Sequence, residues 1–138
     1  MTLDIGHAYV AKRAKGVEDP EGAIIEDLEV LGGEQVTHVH LNNNKGKRDD
    51  HLITEGQIDL RRILSFLKEG GYSGKIIVES YEMEREGIPF VLEKLETLWV
   101  RGSAMGENHG LRGYLQGRKT VFQPASTDKT GRFIRPFA

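Results

Sequence analysis

The chain has 138 residues, no cysteine and a formal net charge of −2, with 38% hydrophobic and 29% charged residues. This size suits one globular domain with a hydrophobic core of its own, and the lack of cysteine excludes structural disulfides. No apolar run is long enough to span a bilayer and the N-terminus lacks a basic-then-apolar export pattern, so we expect a cytoplasmic protein without membrane association.

The N-terminal part predicts a short strand followed by helical segments. Residues 1–5 are typical of a strand that ends in Gly6-His7, and residues 8–15 predict one or two helical turns. Residues 21–31 carry apolar side chains at helical spacing. Glu18, Asp19 and Glu21 suit the positive end of that helix dipole.

The stretch from residue 36 to 56 carries the densest group of chemically reactive side chains. Residues 36–41 alternate in a way that predicts a strand with His38 and His40 on one face. A polar loop over residues 42–48 then brings Asp49, Asp50 and His51 to one place. Imidazoles and carboxylates clustered in this way favour zinc, manganese or iron.

Two further elements follow before a change in composition. Residues 59–68 predict a helix with an apolar stripe, residues 75–80 predict an apolar strand that carries Glu79 near its end, and residues 88–100 predict a helix. Burying the Glu79 carboxylate at the end of an apolar strand is costly unless a cation neutralises it. We favour a metal ion over an arginine as that cation.

Residues 101–138 form a basic, glycine-rich tail. Residues 1–100 hold 12 Lys+Arg against 19 Asp+Glu, a net −7, whereas the tail holds 7 against 2, a net +5. We therefore place a boundary at Val100. Segments 120–123 and 132–134 of the tail either pair as strands or stay disordered, and its charge also permits nonspecific contact with nucleic acid.

The order of elements predicts an α/β fold in which three strand–helix units build a parallel sheet. Polar groups at the carboxyl ends of such strands line active sites. Asp4, His40 and Glu79 stand at three of these ends, and the loops beyond them supply His7, Asp49 and His51.

These motifs resemble the C-terminal half of the xylose isomerase-like TIM barrels, which include sugar isomerases, sugar epimerases and endonuclease IV. The resemblance covers residues 1 to about 100, the last three units of a (β/α)8 barrel. The matching motifs, in order, are Asp4-Ile-Gly-His7, His38-Val-His40-Leu-Asn, Asp49-Asp-His51, Glu55-Gly56-Gln-Ile-Asp59 and Val78-Glu79-Ser80.

The resemblance to the sugar branch implies isomerase or epimerase activity on a small sugar or sugar phosphate. A divalent ion (manganese, zinc or magnesium) would be held by Asp4, His40, Glu79 and a glutamate from an earlier strand. Glu79 and that glutamate would move a proton beside the substrate carbonyl, and His7 would contact the substrate.

The resemblance to endonuclease IV implies a zinc phosphodiesterase that acts on abasic DNA. There Asp4, His40 and Glu79 would bind one zinc, and His7, Asp49 and His51 a second. The acidic body of the chain favours the sugar alternative. A third alternative is a truncated barrel piece without catalytic activity.

Individual residues also have structural interpretations. His38 is interpreted as an interior residue with a local hydrogen-bond partner, and Asp49 and Asp50 as either metal ligands or ordinary surface ion pairs.

A half-barrel leaves two sheet edges with unpaired backbone groups. We expect self-association to cover them, with a complementary N-terminal half-barrel or the tail itself as the alternatives.

Overall fold

The computed structural model describes residues 1–32, 35–48, 50–81, 86–101, 111–116 and 119–124. The elements, in chain order, are β1 (Thr2–Asp4), α1 (Ile5–Ala14), α2 (Pro20–Leu31), β2 (His38–Leu41), α3 (Leu60–Glu69), β3 (Lys75–Glu79), α4 (Ile88–Arg101), β4 (Leu111–Gln116) and β5 (Lys119–Pro124). Among the described helices, none is both long and apolar enough to cross a lipid bilayer.

The strands form one sheet in the order β1-β2-β3-β5-β4. The first three are parallel and alternate with helices, which confirms the predicted strand–helix units. Strand β5 pairs with β3 in the antiparallel direction, and β4 pairs with β5 in the same way. The chain therefore covers the β3 edge of its parallel sheet with a hairpin from its own tail.

The hairpin partly matches the expected tail strands. The predicted segment 120–123 lies within β5, whereas β4 was not predicted. The other predicted segment, residues 132–134, lies outside the described residues. Self-association, which we expect from the open sheet edges, stays a prediction.

Helix α1 begins earlier than its sequence pattern predicts. Residue 5 was expected in the first strand, but the strand ends at Asp4 and the helix starts at Ile5. The Asp4 side chain caps this helix, since its Oδ1 accepts a hydrogen bond from the His7 backbone N–H at 2.9 Å. His7 consequently lies in the first turn of α1 and not in a loop.

The two helices that follow are linked through their N-terminal caps. Asp19 caps α2 by accepting from the Gly22 N–H, and Asp59 caps α3 by accepting from the Arg62 N–H. The guanidinium of Arg62 donates two bonds to Asp19, at 2.7 and 2.8 Å. This bidentate pair lowers the pKa of Asp19, and it fixes α3 beside α2.

The hydrophobic core lies between the parallel sheet and its helices. Strands β2 and β3 contribute their alternate residues, and the helices contribute residues at helical spacing. Fully buried side chains of this core include Ile5, Ile24, Val39, Leu41, Ile63, Leu64, Ile76, Val78, Val91 and Leu95. The opposite face of the sheet carries the half-buried residues of the same strands, among them His38 and His40.

Three consecutive asparagines shape the loop that leaves β2. Asn42, Asn43 and Asn44 are all buried. The Asn43 side chain accepts from the backbone N–H groups of Ile58 and Asn44 and donates to the Ile58 carbonyl, at 2.8–3.0 Å. The Asn44 side chain donates to the Gly6 carbonyl at 3.1 Å. These bonds hold the loop against both α1 and the segment that enters α3.

Asn42 differs from its two neighbours. Its amide nitrogen and oxygen are buried and have no hydrogen-bond partner within the described part of the chain. Its side chain packs so closely on Gly6 that a methyl group at Gly6 would overlap the Asn42 amide oxygen. Close packing therefore requires glycine at this turn of α1.

The asparagines predict two unequal mutational effects. Asn43→Ala leaves the buried backbone N–H groups of Asn44 and Ile58 without their acceptor, so we expect it to lower the free energy of unfolding by about 3 kcal/mol. Asn42→Ala is the matched control, because it removes the same amide without breaking a hydrogen bond, and we expect the smaller loss. Urea denaturation followed by circular dichroism measures both, and equal losses would contradict the assignment.

Candidate metal centre

The parallel register brings three ionisable side chains to one end of the sheet. Asp4 is the register partner of His40, and His40 is the register partner of Ile77. Glu79 lies two residues beyond Ile77, and because side chains alternate along a strand, it emerges on the same face. Three strands therefore place one carboxylate, one imidazole and another carboxylate on a common rim.

The three side chains converge on one small region of the rim. The His40 Nδ1 atom is 3.8 Å from Asp4 Oδ2 and 3.6 Å from Glu79 Oε2. One ligand atom from each residue lies within 4.8 Å of the other two, and all three residues are half-buried. Protein ligands sit about 2.0–2.2 Å from zinc, so the ligand atoms of one ion are separated by at most about 4.4 Å. The two measured distances meet this limit.

The Asp4 carboxylate serves two neighbours. Its Oδ1 caps α1, and its Oδ2 lies 3.1 Å from the His7 Nδ1 atom as well as facing His40. The His7 side chain remains 68% exposed. It is therefore next to the candidate centre and accessible to a molecule that binds there, as a substrate-contacting residue must be.

His38 lies on the same face as His40, two residues earlier in β2. Its Nδ1 atom is 2.9 Å from the Thr37 hydroxyl group, an adjacent partner. The Thr37 hydroxyl group is therefore a local hydrogen-bond partner of the kind expected for His38, whose side chain is half-buried. His38 is not a member of the ligand group.

The loop residues expected at a second metal site have other surroundings. Asp49 lies outside the described residues. The His51 ring makes an edge-to-face contact with Tyr81 at a centroid distance of 5.4 Å, and the His51 carbonyl accepts from the Tyr81 N–H at 3.0 Å. In the described part of the chain, Asp4, His40 and Glu79 form the one group suited to a metal ion. A second ion at His51 stays a prediction.

The backbone of His51 adopts an unusual conformation. Its φ angle is +47°, the one positive value among the described residues other than glycine. Such a conformation costs about 1–3 kcal/mol and persists where surrounding contacts enforce it. Here the contact with Tyr81 connects the loop after β2 to the exit of β3, two residues beyond Glu79.

Asp50 stabilises the turn of the same loop. Its carboxylate accepts from the Lys45 backbone N–H at 3.0 Å and from the Arg48 guanidinium at 2.9 Å. The Lys45 N–H and then Arg48 hold the pKa of Asp50 below its usual value. Both oxygens are thus engaged in loop contacts, which supports the ion-pair interpretation of Asp50.

Sequence reasoning missed Tyr81 and the structural role of the asparagines. An aromatic residue shortly after Glu79 was a usable signal, because strand exits line the same rim. The hydrogen bonds of Asn43 and Asn44 had no such signal, since their partners lie 15 and 38 residues away along the chain.

Comparison with known proteins relates this chain to a wider family. A family profile described as xylose isomerase-like TIM barrel matches residues 1–106. The uncharacterized protein MJ1311 of Methanocaldococcus jannaschii is 35% identical over 105 aligned residues, which cover 69% of this chain and 33% of that protein. The chain thus spans about a third of the length of this curated relative. No solved structure matches the chain at a significant level.

Asp50 provides a pH-dependent prediction. Its folded pKa is below its unfolded value, so its contribution to stability is complete above the unfolded pKa of about 3.9 and is lost as the pH falls through the folded value. Asp50→Asn should remove this component of the acid transition, as measured by thermal unfolding from about pH 6 down to about pH 2.

A second variant separates the two contacts of Asp50. Arg48→Ala leaves the larger contribution from the Lys45 N–H in place, so the pKa of Asp50 should rise only part of the way to its usual value. Carboxyl NMR titration measures this shift. A wild-type Asp50 that titrates at its ordinary pKa would contradict the assigned contacts.

Proposed function

Because the chain belongs to the xylose isomerase-like TIM barrel family, we propose that it binds a divalent metal ion through Asp4, His40 and Glu79 and acts in proton transfer beside the carbonyl group of a sugar or sugar phosphate. The observation that carries this proposal is the convergence of the three side chains from three successive parallel strands. A chance cluster of surface acids has no such regular origin.

The donor set suits the proposed ion. One imidazole nitrogen and two carboxylate oxygens are ligands that zinc and manganese accept, and carboxylates also suit magnesium. The side chains of His40, Asp4 and Glu79 are 22%, 21% and 26% exposed, so a bound ion would be partly desolvated and still reachable from solvent. An open coordination position is the feature that separates a catalytic site from a structural one.

A divalent ion at this position would supply Lewis-acid polarisation of a substrate carbonyl oxygen. Polarisation acidifies the neighbouring C–H group, and Glu79 is the carboxylate that we assign as the base for that proton. We assign contact with a substrate hydroxyl group to His7, and its exposure and its distance of 3.1 Å from Asp4 support this role. Asp4 holds His7 in position through the same carboxylate that caps α1.

Complete epimerisation needs a second acid–base group on the opposite side of the substrate carbon, because the proton must return from the other face. The resemblance assigns this role to a glutamate on an earlier barrel strand. We therefore propose that Glu79 can perform the proton abstraction, and that the return step draws on a group from beyond the described residues.

Metal binding provides the first test of this function. The variants are Asp4→Asn, His40→Ala and Glu79→Gln. Asparagine is a good helix cap, so Asp4→Asn removes the candidate ligand without removing the cap of α1. Loss of a residue that only orients a metal ligand weakens metal binding by about 10–100-fold. We therefore expect each of these variants to bind Mn²⁺ or Zn²⁺ at least that much more weakly than the unaltered chain, as measured by isothermal titration calorimetry. The control is His38→Ala, which removes an imidazole from the same strand face and should bind as the unaltered chain does.

Proton exchange provides the test of catalysis. The full chain with Mn²⁺ should exchange the C–H proton beside the carbonyl of ketose sugars with D₂O, followed by NMR, and Glu79→Gln should slow this exchange by about 10²–10⁴-fold. His38→Ala is again the matched control.

The same preparations distinguish the alternatives. Metal-dependent cleavage of abasic-site DNA without sugar exchange would replace the proposal with endonuclease IV-like activity. Tight metal binding with neither reaction would make the chain a non-catalytic metal-binding piece, and no metal binding would contradict the proposal as a whole.

A further inference from the structure

The sheet has two outer strands among the described residues, β1 and β4. Strand β5 reverses direction relative to β3, and β4 reverses again relative to β5. After two reversals, β4 runs parallel to β1. The two outer strands therefore run in the same direction, although they come from opposite ends of the chain.

We propose that two copies of this chain join through these edges, with β4 of each copy paired in parallel with β1 of the other. Because β1 and β4 run in the same direction, a two-fold axis parallel to the strands can relate the two copies. This rotation places β4 of the first copy beside β1 of the second, and β4 of the second copy beside β1 of the first. The result is a closed ring in which both outer edges are paired, as symmetric assemblies favour.

The charge distribution supports a contact between unlike ends of two copies. Strand β1 belongs to residues 1–100, which carry a net −7, whereas β4 belongs to residues 101–138, which carry a net +5. A contact of β1 with a second β1 would bring two acidic bodies together and leave both β4 edges open. A contact of β4 with β1 instead brings opposite net charges together, which favours encounter.

The ring also brings each copy to the candidate metal centre of the other. Gln116, the last residue of β4, is the register partner of Lys119, and Lys119 is the register partner of Glu79. Both therefore lie at the rim where β1 ends in Asp4. In the ring, the end of the partner's β4 borders the Asp4 side of the site. The pairing of the edges itself does not require a metal ion.

Light scattering of the unaltered, metal-free chain is the first experiment. We expect a particle of twice the 15.5 kDa chain mass that shifts toward monomer at high salt, because salt at 1 M screens charges beyond about 3 Å. A monomer at every protein concentration would overturn the proposal, whether or not the chain binds metal or turns over sugar.

Cross-linking identifies the edges in contact. The chain has no cysteine, so Thr2→Cys in β1 and Arg112→Cys in β4 each introduce a single thiol. With a short thiol-specific linker, the mixed variants should yield at least about tenfold more covalent dimer than either variant alone. Val30→Cys mixed with Arg112→Cys is the control, since Val30 is 86% exposed and lies on helix α2 instead of an outer strand, so this mixture should give only background.

Two cross-linking results would overturn the proposal. One is a dimer formed by Thr2→Cys with itself, which means that β1 pairs with β1. The other is a mixture of Thr2→Cys and Arg112→Cys that gives no more covalent dimer than the mixture of Val30→Cys and Arg112→Cys, although light scattering still detects a dimer. Circular dichroism of each variant verifies that the compared proteins are folded.

Discussion

The parallel register of β1, β2 and β3 is the constraint on which the candidate site depends. A slip of one residue would turn His40 toward the helices and Val39 toward the open face, because side chains alternate along a strand. The register is held at the far end of the strands from the site. There the terminal ammonium of Met1 donates to the Gln35 carbonyl at 2.6 Å, and the Met1 carbonyl accepts from the Thr37 N–H at 2.9 Å. Backbone bonds at one end of the sheet thus align the reactive side chains at the other.

Helix capping and candidate metal ligation share one carboxylate at this rim. The Asp4 carboxylate ends β1, starts α1 and faces both histidines, so the helix cap also fixes the orientation of a candidate ligand. The next residues along the chain reinforce this arrangement, since Gly6 admits the close approach of Asn42 and accepts a hydrogen bond from Asn44. The turn that holds Asp4 is consequently packed against the loop that follows His40, and the two motifs stabilise each other.

The sheet edges connect the fold to assembly. Parallel strands in a TIM barrel close into a ring of eight, and the described part of this chain contributes three parallel strands and a hairpin. The hairpin covers β3 and restores the strand direction, so the two outer strands of the described sheet, β1 and β4, run parallel to each other. A strand that pairs with the free edge of β1 would lie beside Asp4 and the candidate metal centre.

The amino-acid sequence by itself determined the order of the strand–helix units and the identity of the residues at the strand ends. These follow from periodicity and from short motifs, which act over a few neighbouring residues. It also determined that Asp4, His40 and Glu79 belong to one rim, because carboxyl ends of parallel strands meet there.

Only the tertiary structure decided which groups become partners across long separations. The contact of His51 with Tyr81 joins two loops that periodicity treats as independent. The buried bonds of Asn43 and the hairpin on β3 likewise join segments distant in the chain. Pairings of this kind depend on the packed geometry of the whole sheet, which no local pattern of residues encodes.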